Sequence, residues 1–132
     1  MHIRLWFTTM VLMATLLAAC GSGGGTGASV PPVNTGGGNV GTAILSWSGP
    51  NTNADGTALT DLAGYRVYRS TISGSYPATP AATTTAPAGG GGAATVTLNN
   101  LAPGTYFYVV RAVDFSGNES VVSNETSLTI SP

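Results

Sequence analysis

The sequence predicts an all-β fold, a small two-sheet sandwich, for the part of the chain that follows residue 41. From Thr42 onward apolar residues alternate with polar residues, which is the pattern of strands with one buried face. The apolar segments are short and are separated by Gly, Pro, Asn and Asp, the residues typical of turns. Beyond residue 19 no stretch has a helical period, so about 90 residues remain for one sandwich with a single core.

The alternation also predicts which side chains face the core. The first strand starts near residue 42, the second follows a loop over residues 49–60, and the strongest follows a turn over residues 99–104. After a further turn over residues 114–118, a last strand closes the domain. The predicted inward-facing residues are Ala43, Leu45, Trp47, Tyr65, Val67, Val96, Leu98, Tyr106, Tyr108, Val110, Ala112, Leu128 and Ile130.

Two of these aromatic residues have predicted structural roles. Trp47 is the only tryptophan outside the first 19 residues, and its inward position makes it a core residue. Tyr106 lies at the start of the strongest strand, directly after the turn over residues 99–104. Because a buried phenol needs a hydrogen-bond partner, we expect its hydroxyl to bond to the backbone near that turn.

The N-terminus predicts export and lipidation. His2 and Arg4 form a short basic start, and residues 5–19 form an apolar run too short to span a bilayer. The run ends in Leu17-Ala18-Ala19-Cys20, which resembles the lipobox of bacterial lipoproteins. The resemblance implies that residues 1–19 are removed and that Cys20 carries a diacylglycerol and a further acyl chain such as palmitate. The alternative is an ordinary secretory signal with a chance cysteine.

The segment after Cys20 predicts a flexible tether over residues 20–40. Residues 21–39 contain eight glycines together with Ser, Thr, Asn and Pro, so the segment buries too little apolar surface to fold. A Gly-rich coil of about 20 residues spans roughly 25 Å on average. Residues 30–33, Val-Pro-Pro-Val, are a candidate first edge strand, because Pro is tolerated at the edge of a sheet. By resemblance, the absence of Asp after Cys20 implies the outer membrane, with the module lipid-anchored there.

Composition excludes several classes of function. Beyond residue 19 the chain has no His, Lys or Met, and three arginines stand against five carboxylates, a net charge of minus two. Nucleic-acid binding requires clustered cations, so no nucleic-acid partner is expected. With Cys20 lipidated, no disulfide is available, and we expect a monomer without cofactor. The lack of a His base, a thiol and a Lys amine also favours a non-enzymatic protein.

Several motifs in order resemble the fibronectin type III domain. They cover roughly residues 41–130, and what the resemblance implies is a seven-stranded immunoglobulin-like β-sandwich over residues 41–132. The motifs are Ala43-x-Leu45-x-Trp47, Gly64-Tyr65-Arg66-Val67-Tyr68, Leu101-x-Pro103-Gly104-Thr105-Tyr106, Val110-x-Ala112 and the tail from Ser116 to Glu125.

Oxygen-bearing loops offer weaker candidates for chemistry. Two carboxylate pairs, Asp55 with Asp61 and Asp114 with Glu119, are the conceivable acids, but so small a domain offers little cleft for a sugar chain. The run Asn51-x-Asn53-x-Asp55-Gly56 also resembles a calcium loop, with Asp61 near its end. Position twelve of that loop is Leu62 and not a carboxylate, and Asp-Gly is a common turn signal. The alternatives are therefore a weak calcium site and an ordinary turn.

The outward faces of two strands provide a candidate binding surface. If Tyr65 and Tyr108 point inward, the alternate residues of the same strands point outward, and aromatic residues and Arg are enriched in interfaces. The surface consists of Arg66, Tyr68, Phe107, Val109 and Arg111. The alternative is that strand propensity alone selects these residues. Three hypotheses follow: a binding or display module for a protein or polysaccharide, a passive spacer of the envelope, and, as the distant third, a catalytic or calcium site.

Overall fold

The computed structural model describes residues 12–16, 40–53, 56–87 and 91–131, and these ranges contain strands, turns and no helix. No segment in them therefore forms a helix long and apolar enough to cross a membrane. The strands are β1 (Leu12–Leu16), β2 (Gly41–Gly49), β3 (Leu62–Ser70), β4 (Ala82–Thr85), β5 (Gly92–Leu101), β6 (Gly104–Asp114) and β7 (Thr126–Ile130).

The strands form two antiparallel sheets that pack face to face. One sheet has the order β1-β2-β5 and the other has the order β4-β3-β6-β7. Neighbours such as β2 and β5 are far apart in the chain, so the connections cross between the sheets as they do in immunoglobulin-like sandwiches. The predicted all-β fold, a sandwich of two sheets, is confirmed.

The predicted strand count for residues 41–132 is wrong. Within the described part of that range there are six strands, and the seventh strand of the sandwich is β1, from the segment predicted to be a signal peptide. β1 pairs with β2 along five residues, with Leu12 opposite Trp47 and Leu16 opposite Ala43. The other candidate for that place, residues 30–33, lies outside the described residues.

The core lies between the two sheets and consists of the side chains that the alternation placed there. Ten of the predicted inward-facing residues are buried, and Val96, Tyr106 and Leu128 are partly buried against them. The rings of Trp47 and Tyr65 meet edge to face, with centroids 5.3 Å apart and planes at 80°. Four further residues complete the core and were not predicted: Leu59, Leu62, Ala94 and Leu101.

Tyr106 makes the hydrogen bond predicted for it. Its hydroxyl donates to the carbonyl oxygen of Ala102 at 2.9 Å, across the turn that joins β5 and β6. The turn uses Asn100 at φ 58°, a left-handed conformation that Asn tolerates better than most residues. This bond fixes the start of β6, the strand that carries three of the five candidate surface residues.

β4 is a short edge strand that the sequence pattern did not predict. It pairs with β3 from Gly64 opposite Thr85 to Val67 opposite Ala82. A side chain at Gly64 would place its Cβ 2.2 Å from the carbonyl oxygen of Thr84. Glycine is therefore needed where β4 crosses close to β3, and β4 forms one border of the outer face of the second sheet.

Candidate functional site

The candidate surface lies on the outer face of the β4-β3-β6-β7 sheet. β3 and β6 are paired so that Arg66 is opposite Arg111 and Tyr68 is opposite Val109, while Phe107 is opposite a serine. None of these five residues belongs to the core cluster between the sheets. The structure therefore brings the five predicted residues together on one side of two neighbouring strands.

Two of the five residues are buried, and the prediction that they face solvent is wrong. Tyr68 is 5% exposed and Val109 is 2% exposed. They line a shallow depression together with Tyr76, Pro77 and Val122, which come from segments outside the strands. The alternation of residues correctly assigned Tyr68 and Val109 to the outer face, but it carried no information on the connections that fold over that face.

Glu125 connects the two segments that cover the outer face. Its carboxylate accepts hydrogen bonds from Ser73 Oγ at 2.6 Å, from the Gly74 backbone N–H at 2.8 Å and from the Tyr76 hydroxyl. Hydrogen bonds from Ser73, Tyr76 and Gly74 hold the pKa of Glu125 below its ordinary value. These bonds tie the long connection between β3 and β4 to the segment that precedes β7.

Glu119 lies at the centre of the outer face and joins its two arginines. Its Oε1 accepts hydrogen bonds from Arg66 Nη1 at 2.5 Å and from the Tyr68 hydroxyl at 2.7 Å. Its Oε2 lies 3.6 Å from Arg111 Nε, and the Arg111 guanidinium stands 5.8 Å from the centroid of the Tyr68 ring. One carboxylate thus compensates two cations that face each other across paired strands. We call Arg66, Tyr68, Arg111 and Glu119 the Arg–Glu cluster.

The ionisation of the cluster follows from these contacts. Partial burial alone would raise the pKa of Glu119, but hydrogen bonds from Tyr68 and Arg66 and the charges of both arginines outweigh it and lower the pKa. Burial, together with the bond to Glu119, raises the pKa of Tyr68. Glu119 is therefore an anion and Tyr68 a neutral donor at neutral pH. From the sequence, Glu119 was predicted only as one member of a possible acid pair with Asp114, but two arginines that face each other across paired strands need an anion between them.

Shallow depressions lie on both sides of the cluster. The first, of about 310 Å³, is lined by Tyr68, Val109, Arg111 and Glu119 together with the covering segments. The second, also of about 310 Å³, is lined by Arg66 and by threonines of β4. Arg66 and Arg111 keep 38% and 37% of their side-chain surface exposed, so both cations reach solvent. Phe107 is partly buried and lines neither depression.

Asp114 and Glu119 do not form a pair of free carboxylates. Asp114 is 4% exposed, and its Oδ1 accepts the backbone N–H groups of Ser116 and Asn118, each at 2.8 Å. Its Oδ2 accepts the Asn118 side-chain amide at 2.7 Å. Burial would raise the pKa of Asp114, but the hydrogen bonds from the turn lower it. Asp114 therefore stabilises the turn after β6, while Glu119 forms ion pairs with Arg66 and Arg111.

The loop that resembles a calcium site forms a hydrogen-bonded turn. The Asn53 side-chain amide donates to Thr57 Oγ1 at 3.0 Å and to the Ala58 carbonyl at 3.3 Å, and the Gly56 N–H donates to the Asn53 carbonyl. Asn51 accepts the Leu59 N–H through its carbonyl, and Asp55 lies outside the described residues. One oxygen each of Asn53 and Asp61 is buried without a partner in the described structure. Across the described ranges, no three His, Cys, Asp or Glu residues cluster as metal ligands would.

Comparison with known proteins finds similarity among solved structures. No protein-family model matches the chain, and no curated protein matches it. Among solved structures, the chain is similar to the solution structure of the third fibronectin III domain of the human KIAA0343 protein. The two are 22% identical, with a TM-score of 0.41, over 86% of this chain and 94% of that one. Cys20, the predicted lipidation site, lies outside the described residues.

Proposed function

We propose that the chain is a lipid-anchored, non-enzymatic binding or display module of the bacterial cell envelope. Its anchor is Cys20, its tether is the Gly-rich segment, and its binding face is the outer face of the second sheet, which takes an envelope protein or a polysaccharide. The observation that carries the binding role is the Arg–Glu cluster, whose two partly exposed arginines each line one depression. Groups that are already oriented by Glu119 lose little conformational entropy when a ligand binds.

The anchoring half of the proposal rests on the sequence. A single acyl chain holds a protein on a membrane only marginally, at about 0.8 kcal/mol per buried CH₂, whereas two or three chains hold it stably. The motif that ends at Cys20 implies the second case. The module would then sit at the outer membrane, on its periplasmic side or at the cell surface, and present its sheets beyond the lipid headgroups.

Replacing Cys20 with alanine tests the anchor. In cells labelled with a palmitate analogue, we expect the wild-type chain to be labelled and to sediment with the membrane. The Cys20→Ala variant should be unlabelled and absent from the membrane fraction, because the acyl chains attach at this residue. Ser22→Ala is the matched control, since it alters a neighbouring small residue and leaves the acceptor in place. Equal labelling of Cys20→Ala and the control would contradict the anchor.

Two adjacent valines allow a matched test of the binding face. Val122 is 43% exposed and lines the first depression, whereas Val121 is 52% exposed and does not line it. We expect Val122→Glu to reduce the envelope protein or polysaccharide retained on the immobilised module by about tenfold, a loss of about 1.4 kcal/mol. The reason is that the introduced carboxylate would put a second negative charge into the depression that Glu119 also lines. Val121→Glu should retain as much ligand as the wild type.

The same measurement separates binding from a passive spacer role. Surface substitutions of this kind change the free energy of unfolding by about 0.5 kcal/mol or less, so both variants should melt within a few degrees of the wild type. If the two variants retain ligand equally, the binding face lies elsewhere. If the wild type itself retains neither protein nor polysaccharide, the chain is a spacer.

A further inference from the structure

The first depression of the outer face offers a ligand one free carboxylate oxygen and one guanidinium. Both tyrosine hydroxyls that line it are engaged, that of Tyr68 with Glu119 and that of Tyr76 with Glu125. Four of the other lining residues are apolar: Pro77, Ala78, Val109 and Val122. Among the side chains that line the depression, Glu119 and Arg111 are therefore the two with hydrogen-bonding capacity left for a ligand.

The contact between Glu119 and Arg111 is not closed. Glu119 Oε2 lies 3.6 Å from Arg111 Nε, which exceeds the range of about 2.7 to 3.2 Å for an N–H···O hydrogen bond. Within the described ranges Oε2 accepts no hydrogen bond, whereas Oε1 accepts two, from Arg66 and Tyr68. A guanidinium has several N–H donors, and in the same part of the chain Arg111 uses one of them, to the Ser120 carbonyl at 3.1 Å. Both side chains are partly exposed, so a ligand can reach the gap between them.

An open carboxylate–guanidinium pair requires a ligand that donates and accepts at neighbouring atoms. A carboxylate ligand accepts from Arg111, but it has no proton for Oε2 and is repelled by the charge of Glu119. An ammonium ligand donates to Oε2, but it cannot accept from Arg111 and is repelled by that cation. A hydroxyl both donates and accepts, so two hydroxyls on adjacent carbons satisfy the two groups together.

We propose that the first depression binds a neutral sugar unit of an envelope polysaccharide through a pair of vicinal hydroxyls. One hydroxyl donates to Glu119 Oε2, and its neighbour accepts from an N–H group of Arg111. The C–H groups of the sugar ring then pack on the apolar side chains of the depression. This proposal rests on the proposed function, because it names the ligand class of that same binding face.

The place of the depression in the sheet favours a saccharide over a peptide. The strand residues that line it belong to β3 and β6, and each of these strands has a neighbouring strand on both sides. An extended peptide gains affinity by adding a strand to a free sheet edge, and that mode is not open in the middle of a sheet. The depression measures about 310 Å³, at the lower end of the roughly 300 to 1,000 Å³ of small-molecule pockets. It therefore suits a single ring better than a length of peptide.

Hydroxyls also suit the hydration of the two groups. Partly exposed charged groups bind water in the free protein, and a ligand that cannot reproduce the hydrogen bonds of a displaced water loses affinity. A sugar hydroxyl has the same donor and acceptor capacity as the water it displaces, so the exchange preserves those hydrogen bonds. The Ser120 carbonyl and the Tyr68 ring hold Arg111 in place, so its remaining donors need little reordering.

Retention of deproteinised envelope polysaccharide on the immobilised full-length protein tests this proposal. The protein is kept in a detergent without a sugar headgroup, and the polysaccharide is applied either untreated or after periodate oxidation. Periodate cleaves the carbon–carbon bond of a vicinal diol, so the paired hydroxyls lose their fixed geometry. We expect oxidation to reduce the retained polysaccharide at least about tenfold, because both hydrogen bonds to charged groups are lost.

An arginine-to-lysine exchange assigns the binding to the first depression. Arg111→Lys keeps the positive charge but loses the planar set of N–H donors, so we expect about tenfold less untreated polysaccharide to be retained. Arg69→Lys is the matched control, because Arg69 stands 5.3 Å from the centroid of the Tyr106 ring and does not line the depression. It should retain as much as the wild type. Both variants should melt within a few degrees of the wild type.

The contrary outcomes are distinguishable. Undiminished retention of the oxidised polysaccharide overturns this proposal and leaves the proposed binding role standing. Retention of whole envelope extract that protease digestion abolishes identifies a protein ligand, with the same two consequences. Loss of retention after amidation of the carboxylates of the polysaccharide, without loss after periodate, identifies an anionic ligand and overturns the proposal too. Equal retention by the two lysine variants overturns the assignment to Arg111. If the wild type retains neither extract nor polysaccharide, this proposal and the proposed binding role are both wrong.

Discussion

Trp47→Ala is expected to leave the domain largely unfolded. Trp47 is 3% exposed, packs edge to face on Tyr65 and lies on β2 between the two sheets. Truncation of a buried tryptophan to alanine costs about 3 to 5 kcal/mol, because the transfer free energy is lost and a cavity remains. A small domain has about 5 kcal/mol or a little more in total. The loss is therefore comparable with the whole stability, and thermal unfolding followed by circular dichroism measures it.

Trp47→Phe is the matched control for this substitution. The indole Nε1 is buried without a hydrogen-bond partner in the described structure, so phenylalanine loses volume but also removes an unsatisfied polar atom. We expect it to cost about 1 kcal/mol, well below the cost of alanine. A Trp47→Ala protein that melts within a few degrees of the wild type would show that the Trp47–Tyr65 contact is not central to the core.

The sequence predicted the buried residues of those strands in which apolar and polar residues alternate. The inward residues of β2, β3 and β6 follow a strict two-residue period, and that period decides which face is buried once a sheet packs on another. The turn over residues 99–104 and the Tyr106 hydrogen bond were predictable for a related reason, since turn residues act locally and a phenol needs a partner.

The missed features depend on contacts between distant parts of the chain. Tyr68 and Val109 are covered by connections of irregular structure, and no local pattern shows where such segments fold. β4 is a Thr-rich strand of four residues at a sheet edge, so its apolar pattern is too short to detect. The placement of Glu119 between two arginines required the register of β3 and β6, which pairs Arg66 with Arg111. Its own neighbours in the sequence suggested only a loop carboxylate.

Glu119→Ala is the second substitution with a large expected effect, about 2 kcal/mol of destabilisation. The ion pairs contribute little of this, because both arginine side chains are more than one third exposed and such pairs give about 0 to 1 kcal/mol. The larger part comes from the Tyr68 hydroxyl, which loses its acceptor in a residue that is 5% exposed. Arg66 and Arg111 would also face each other across paired strands without an anion between them.

Glu119→Gln and the pH dependence separate these contributions. Glutamine keeps an oxygen acceptor for the Tyr68 hydroxyl and removes only the charge, so we expect it to cost about 1 kcal/mol or less and to become less damaging in high salt. The pKa of Glu119 is lowered from its ordinary value of 4.5 in the folded protein, so its carboxylate stabilises the fold fully above that pH. The stabilisation is lost as the pH falls through the lowered pKa, because protonation then costs the folded state more than the unfolded state.

The difference in stability between the wild type and Glu119→Gln should therefore be constant near neutral pH and should shrink on acidification below about pH 4.5. Asp114 and Glu125 also have lowered pKa values, but they remain in both proteins, so their contribution cancels in the difference. Chemical denaturation of both proteins at several pH values measures this difference in the free energy of unfolding. A difference that is unchanged down to the acid limit would mean that the charge of Glu119 does not stabilise the fold. In that case its role on the outer face is confined to the Tyr68 hydrogen bond, and the orientation of Arg111 would have to come from its contacts with the Tyr68 ring and the Ser120 carbonyl.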